Sequence, residues 1–110
     1  MPWEVMETKE DLQKMLEDSS NKAYLLLKHS TRCSISHLIK KRLESNWDLT
    51  EEEIIPVYLD LLAHRPLSND IEKELNIRHE SPQVIVLRGG EVIYHASHSA
   101  ISLDAIKNAL

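Results

Sequence analysis

The five residues Ala23-Tyr24-Leu25-Leu26-Leu27 constrain this chain most. They are apolar without a break and without alternation, the pattern of a β-strand buried on both faces. Such a strand sits inside a sheet with cover above and below, and the rest of the chain must supply that cover. A helix is predicted before it. Thr8-Lys9-Glu10-Asp11 has the form of a capping box with Asp11 in place of the usual Glu, Leu12, Met15 and Leu16 recur at helical spacing, and Asp18-Ser19-Ser20-Asn21 ends the segment. A second helix is predicted after it, from Ile35 to Trp47. Ile35, Leu38, Ile39, Leu43 and Trp47 form its apolar stripe, with Lys40, Lys41 and Glu44 facing away.

The remaining segments continue the alternation. Trp3 to Met6 is a short edge strand, and Asp48 to Glu53 an acidic turn. Ile55 to Leu62 reads as a strand with Pro56 at its start, where a missing N–H is tolerated. Asn69 to Ile77 reads as a short helix capped by Ser68 or Asn69. Gln83 to Leu87 and Glu91 to His95 are strands joined by Gly89-Gly90, a strong hairpin signal. Ser99 to Leu110 closes the chain as a helix. The crossover helix makes the first two long strands parallel, and the hairpin makes the last two antiparallel. The expectation is an α/β chain with a mixed sheet of four to five strands, helices on both faces and one domain over 1–110.

The only cysteine, Cys33, falls at the first strand-to-helix junction, in Ser30-Thr31-Arg32-Cys33-Ser34-Ile35-Ser36. A thiolate is the reactive form of cysteine. A helix N-terminus stabilises it through unpaired N–H groups and the positive end of the dipole. Ser30 and Thr31 are both able to cap the helix, and the charge of Arg32 favours the thiolate further. Lys28, His29, Arg32, His37, Lys40, Lys41 and Arg42 surround Cys33 in sequence, although the chain as a whole carries a net charge of −5. That clustering fits an anionic ligand at the thiol, and it also fits a solvated helix face.

The same composition excludes several classes. An acidic chain with few aromatics and no Phe is not built for general nucleic-acid binding. A lone cysteine forms no internal disulfide, no apolar stretch is long enough to span a bilayer, and Met1-Pro2-Trp3-Glu4 is not the start of a signal peptide, so a cytoplasmic protein is expected. His95 and His98 lie close together, yet no cysteine or acid cluster completes a tetrahedral set, so no metal is expected.

The element order, the cysteine at the junction and Ser81-Pro82 before the hairpin together resemble the thioredoxin fold over nearly the whole chain. Ser81-Pro82 matches the cis-proline position of that superfamily, beside the active cysteine, where the backbone before the proline pairs with substrate. Thioredoxin has a second cysteine where this chain has Ser36, and its buried strand acid has no counterpart, the matching place being Leu27. The chain also lacks the Cys-Gly-Phe-Ser motif of monothiol glutaredoxins. The closer resemblance is to monothiol bacilliredoxin-like proteins of the bacillithiol system. Lys28-His29-Ser30-Thr31-Arg32-Cys33 with Ile35-Ser36, the Glu80-Ser81-Pro82-Gln83 turn and Gly89-Gly90 carry it. That family commonly has a proline just after the cysteine, where this chain has Ser34, and Arg32 intervenes between Thr31 and the thiol.

The resemblance implies a thiol–disulfide oxidoreductase with no bound cofactor. Cys33 would take a low-molecular-weight thiol, bacillithiol, from S-thiolated client proteins, with the small thiol as co-substrate. Thr31, Arg32 and Ser36 would support the thiolate. Lys40 would meet the malate carboxylates of bacillithiol, and Ser81 and Pro82 would hold the partner. Two other readings remain open on the residues alone. A lone cysteine is often a small core hydrophobe, and the alternative is then a binding module that keeps the fold and docks a partner on the Cys33/Pro82 face. The other is iron–sulfur carriage by a dimer sharing two Cys33 thiolates with two small thiols, which would show as brown protein on purification.

Overall fold

The computed structural model describes all residues, 1–110. Five strands form one mixed sheet: β1 (Glu4–Val5), β2 (Tyr24–His29), β3 (Ile55–Asp60), β4 (Gln83–Arg88) and β5 (Glu91–Ser97), in the spatial order β1-β3-β2-β4-β5. Four α-helices accompany them: α1 (Lys9–Asp18), α2 (Ser34–Asn46), α3 (Arg65–Leu75) and α4 (Leu103–Ala109). β2 is central, parallel to β3 and antiparallel to β4, and all six of its residues are buried.

The period of two along β2 divides the core into two layers. Tyr24 and Leu26 face one layer with Leu12 and Met15 of α1 and Leu67 and Ile71 of α3. Leu25 and Leu27 face the other with Ile39 and Leu43 of α2 and Ile106 of α4. Unbroken apolar sequence in β2 is thus required by helices on both sides.

Local chemistry sets the ends of these elements. Thr8 and Asp11 form a complete capping box on α1. Gly89 and Gly90, at φ of 65° and 75°, make the two-residue turn between β4 and β5, a conformation that favours glycine. Pro56 sits inside β3 without breaking the ladder. Ile55 N–H bonds to Ala23 O at 2.9 Å, so by alternation Pro56 turns its nitrogen toward the far edge, where β1 pairs only with Val57 and Tyr58.

Several boundaries differ from the sequence reading. β2 runs on through Lys28 and His29. α3 begins at Arg65 with His64 as its cap and Pro66 in its first turn, four residues before Asn69, which leaves Ser68 buried on the helix instead of capping it. Pro in the first helical turn forfeits no hydrogen bond, so the helix starts there. The last segment divides into a short 3₁₀ turn at His98–Ala100 and α4, capped by Ser102.

Candidate active site

Cys33 is itself the N-cap of α2, with φ −104° and ψ 119°. Ser30 and Thr31 do not cap the helix. They belong to a turn closed by Cys33 N–H to Ser30 O at 3.2 Å, which the chain needs to pass from the strand into the helix. The first rung of α2 runs from His37 N–H to Cys33 O at 3.1 Å. The thiol therefore takes the position in which a Ser or Asp oxygen usually meets the free amides of the first helical turn. Its side chain makes no cap hydrogen bond, and the residue is half-buried.

The residues expected to support the thiol are distributed differently. Ser36 is fully buried, and its Oγ lies 2.6 Å from His29 Nδ1 while accepting Ser30 N–H at 3.1 Å. No hydrogen bond joins Ser36 to the sulfur. Its hydroxyl instead ties the first turn of α2 to the end of β2, so it acts on Cys33 through placement. Thr31 has an exposed side chain and participates through its carbonyl, which accepts His37 Nε2–H at 2.7 Å. Arg32 is exposed and forms no ion pair. Lys40 is committed elsewhere. It pairs with Glu44 at 2.8 Å and lies over the rings of Trp3 and Tyr58 at 5.6 and 5.3 Å, so its charge is already engaged within the chain.

The apolar stripe of α2 is also rotated from expectation. Ser36, Ile39 and Leu43 face the sheet, whereas Ile35 and Leu38 are 56% and 55% exposed. The bond between Ser36 and His29 fixes that rotation, because it draws a polar residue inward at the helix start. Two apolar side chains are left in solvent within five residues of the thiol.

The basic neighbourhood thins in the same way. Lys28 and His29 are inside the protein, so Arg32, His37, Lys41 and Arg42 are its exposed members. Sequence reasoning missed that burial. The signal was the continuation of an unalternated strand pattern through Lys28 into His29.

Ser81–Pro82 precedes β4, and the bond between them is cis. The register Lys28↔Gln83 and Leu27↔Val84 brings the exit of β2, which leads to Cys33, and the entrance of β4, which follows Pro82, to one end of the sheet. Pro82 is buried, and its carbonyl accepts His98 N–H at 3.0 Å. Ser81 Oγ and Gln83 Oε1 are buried at this turn without hydrogen-bond partners.

Two histidines and a lysine here respond to pH. Burial, followed by the charges of His37 and Lys40, lowers the pKa of His29 below the ordinary 6.5. Burial, followed by Lys28 and Arg65, does the same to His79. The unfolded chain takes up protons at both rings as pH falls through 6.5, and the folded chain does so only at lower pH, so their contribution to stability is lost on acidification. Burial brings Lys28 down from 10.5 to about 8. Between those values the unfolded chain holds the proton and the folded chain has released it, so this group makes stability rise with pH across that window. The melting midpoint is expected to fall between pH 7 and pH 5. Lys28→Met should flatten the alkaline limb between pH 8 and 10 when both chains are followed by circular dichroism. An unchanged alkaline limb in the variant would contradict the burial of an ionisable amine at Lys28.

This fold and this junction define a thioredoxin-fold protein with a single thiol at the strand-to-helix turn, and solved structures agree. One described as an oxidoreductase with a thioredoxin fold is 28% identical, covers 96% of this chain and 90% of its own, and superposes with a TM-score of 0.81. The thioredoxin of Malassezia sympodialis is 15% identical over 98% of this chain and 87% of its own, with a TM-score of 0.73. That of Fasciola hepatica is 13% identical over 96% and 94%, with a TM-score of 0.71. The profile of the monothiol bacilliredoxin BrxC family matches residues 4–106, and the chain belongs to that family. Its role is in thiol redox chemistry. No helix is long and apolar enough to cross a membrane.

Proposed function

We propose that this protein removes a low-molecular-weight thiol, bacillithiol, from mixed disulfides on client proteins, with Cys33 as the nucleophile. The observation that carries this reading is the placement of the chain's only thiol, half-exposed, as the N-cap of α2. The N-cap lies at the positive end of the helix, and the unpaired amides of a first helical turn favour negative charge. Arg32 next door has no carboxylate partner and adds positive charge. Ser36 is not a sulfur nucleophile, so a mixed disulfide on Cys33 is not resolved within the chain.

The Cys33 thiolate attacks the small-thiol sulfur of the client mixed disulfide. A bond forms between Cys33 Sγ and that sulfur, the original S–S bond breaks, and the client leaves as a thiolate that takes a proton. A second small-thiol anion then attacks the small-thiol sulfur on Cys33, which frees the Cys33 thiolate and releases a symmetric disulfide. The client sulfur is reduced to a thiol and the one incoming small thiol is oxidised to the disulfide level, so the electrons balance. Exposed Ile35 and Leu38 offer apolar surface to a protein client. The exposed cations Arg32, Lys41 and Arg42 suit the carboxylates of bacillithiol better than Lys40, which Glu44 already holds. The backbone at Ser81, before Pro82, would pair with the client. A reducing, thiol-rich compartment such as the cytoplasm suits this cycle.

The test is the rate at which iodoacetamide labels Cys33 at pH 7. Labelling is expected to exceed that of free cysteine several-fold. Arg32→Ala should slow it about two- to fivefold at low ionic strength, the range of a partly screened charge at short distance, and less in salt. Labelling slower than free cysteine, together with no release of bacillithiol from a client, would instead favour a binding module that keeps the fold without the reaction.

A further inference from the structure

Beneath the Ser81–Pro82 turn lies a polar cluster that the exchange reaction does not use. Lys28 is wholly buried, and its ammonium forms no ion pair. Nζ donates to Ser68 O at 3.2 Å and to His79 Nδ1 at 3.3 Å. Ser68 Oγ is also 3.3 Å from His79 Nδ1. An ammonium only donates, so Nδ1 is the acceptor and the imidazole proton sits on Nε2. One turn further along α3, Glu72 Oε2 accepts His79 N–H at 2.5 Å. Gln83 Nε2 donates to Arg78 O at 3.0 Å from the start of β4. Residues 78 and 79 are therefore held from three elements, β2, α3 and β4, immediately before Ser81 and Pro82.

An ammonium at this depth is unfavourable for stability, since its hydrogen bonds go only to neutral acceptors and the attraction of Glu72, which it does not touch, offsets the lost hydration only in part. A Met of similar length would fill the same space without that cost. What Lys28 supplies is direction, because it anchors one ring nitrogen of a loop residue to the central strand. We propose that Lys28 is a positioning residue for client docking, acting through neutral His79 to set the backbone of the Ser81–Pro82 turn relative to Cys33. This inference rests on the reading that the turn receives the client. It assigns Lys28 no contact with substrate or sulfur.

Lys28→Met separates positioning from general support. The substrate is a carrier protein whose one surface cysteine is blocked as a mixed disulfide with bacillithiol. KM for that protein is expected to rise about five- to tenfold, the upper part of the range for losing one typical hydrogen bond, with kcat within about twofold. Iodoacetamide labelling of Cys33 should stay within about twofold, and the thermal midpoint at pH 7 should not fall. Amide hydrogen exchange from His79 to Gln83 should quicken while that of α2 does not. His79→Leu should reproduce the KM rise.

Four results would overturn the proposal. They are unchanged exchange at the turn, faster exchange everywhere with a lower midpoint, a fall in kcat with KM unmoved, and local loosening with normal KM. A parent protein that releases no bacillithiol would refute the proposed function instead. The exchange measurement would still decide whether Lys28 holds the turn.

Discussion

Replacing Cys33 with Ser is expected to lower the release of bacillithiol from a client mixed disulfide by at least about a thousandfold, to the uncatalysed rate, because the nucleophile is removed and nothing replaces it. The chain holds no other thiol. A serine hydroxyl at the same place is neither ionised near neutral pH nor able to form the sulfur–sulfur bond through which exchange proceeds. The fold should survive intact. The backbone bonds of residue 33, to Ser30 O and from His37 N–H, do not involve the side chain. Ser is moreover one of the preferred N-cap residues, so the melting midpoint should stay level or rise slightly. Thiol release by chromatography and a thermal melt on the same sample read both halves. Substantial release by Cys33→Ser with a normal melt would remove Cys33 from the reaction.

The second large effect concerns Leu27, the residue at the place where thioredoxins keep a buried acid. Leu27 is fully buried among Leu25, Ile39, Leu43, Val84 and Val86. Leu27→Ala is expected to cost about 2–5 kcal/mol, the range for a large-to-small change in a packed core. Against a total stability of about 5–15 kcal/mol for a domain of this size, that is a substantial fraction. Urea unfolding reads it as a midpoint lower by about 1–2.5 M at a mid-range slope of about 2 kcal/mol per M. Leu26→Ala removes the same group from the opposite layer and should cost a similar amount, since both faces of β2 are sealed by helices. A loss below about 1 kcal/mol at Leu27, with a full loss at Leu26, would show that the α2 layer is loosely packed and that Cys33 sits on a poorly anchored helix.

The two layers were legible in the sequence because an unalternated strand leaves no face for solvent. The Gly89-Gly90 hairpin and the Thr8–Asp11 capping box were legible because each satisfies its backbone within a few residues. The rotation of α2 was not. Its apolar spacing allowed a stripe through Ile35 and Leu38, and the inward turn of Ser36 is decided by a bond to His29, seven residues away on another element. The start of α3 was not legible either, because Ser68 looks like a cap, whereas its hydroxyl meets His79 and its carbonyl meets Lys28.

The sequence alone determined the order of elements, the crossover that makes β2 and β3 parallel, and the placement of the only thiol at a strand-to-helix junction. These follow from hydrophobic period and turn chemistry, which act over a few residues. Tertiary structure decided which polar side chains near that thiol face solvent. Lys28 meets Ser68 across 40 positions and His79 across 51, and Trp3 meets Glu44 across 41. Such partners are chosen when the sheet and helices pack, because a buried polar group takes whatever donor or acceptor the packing brings within reach. A cluster of seven basic residues in sequence thereby became a smaller exposed patch, an ion pair stacked on two aromatic rings, and a buried anchor beneath the Ser81–Pro82 turn.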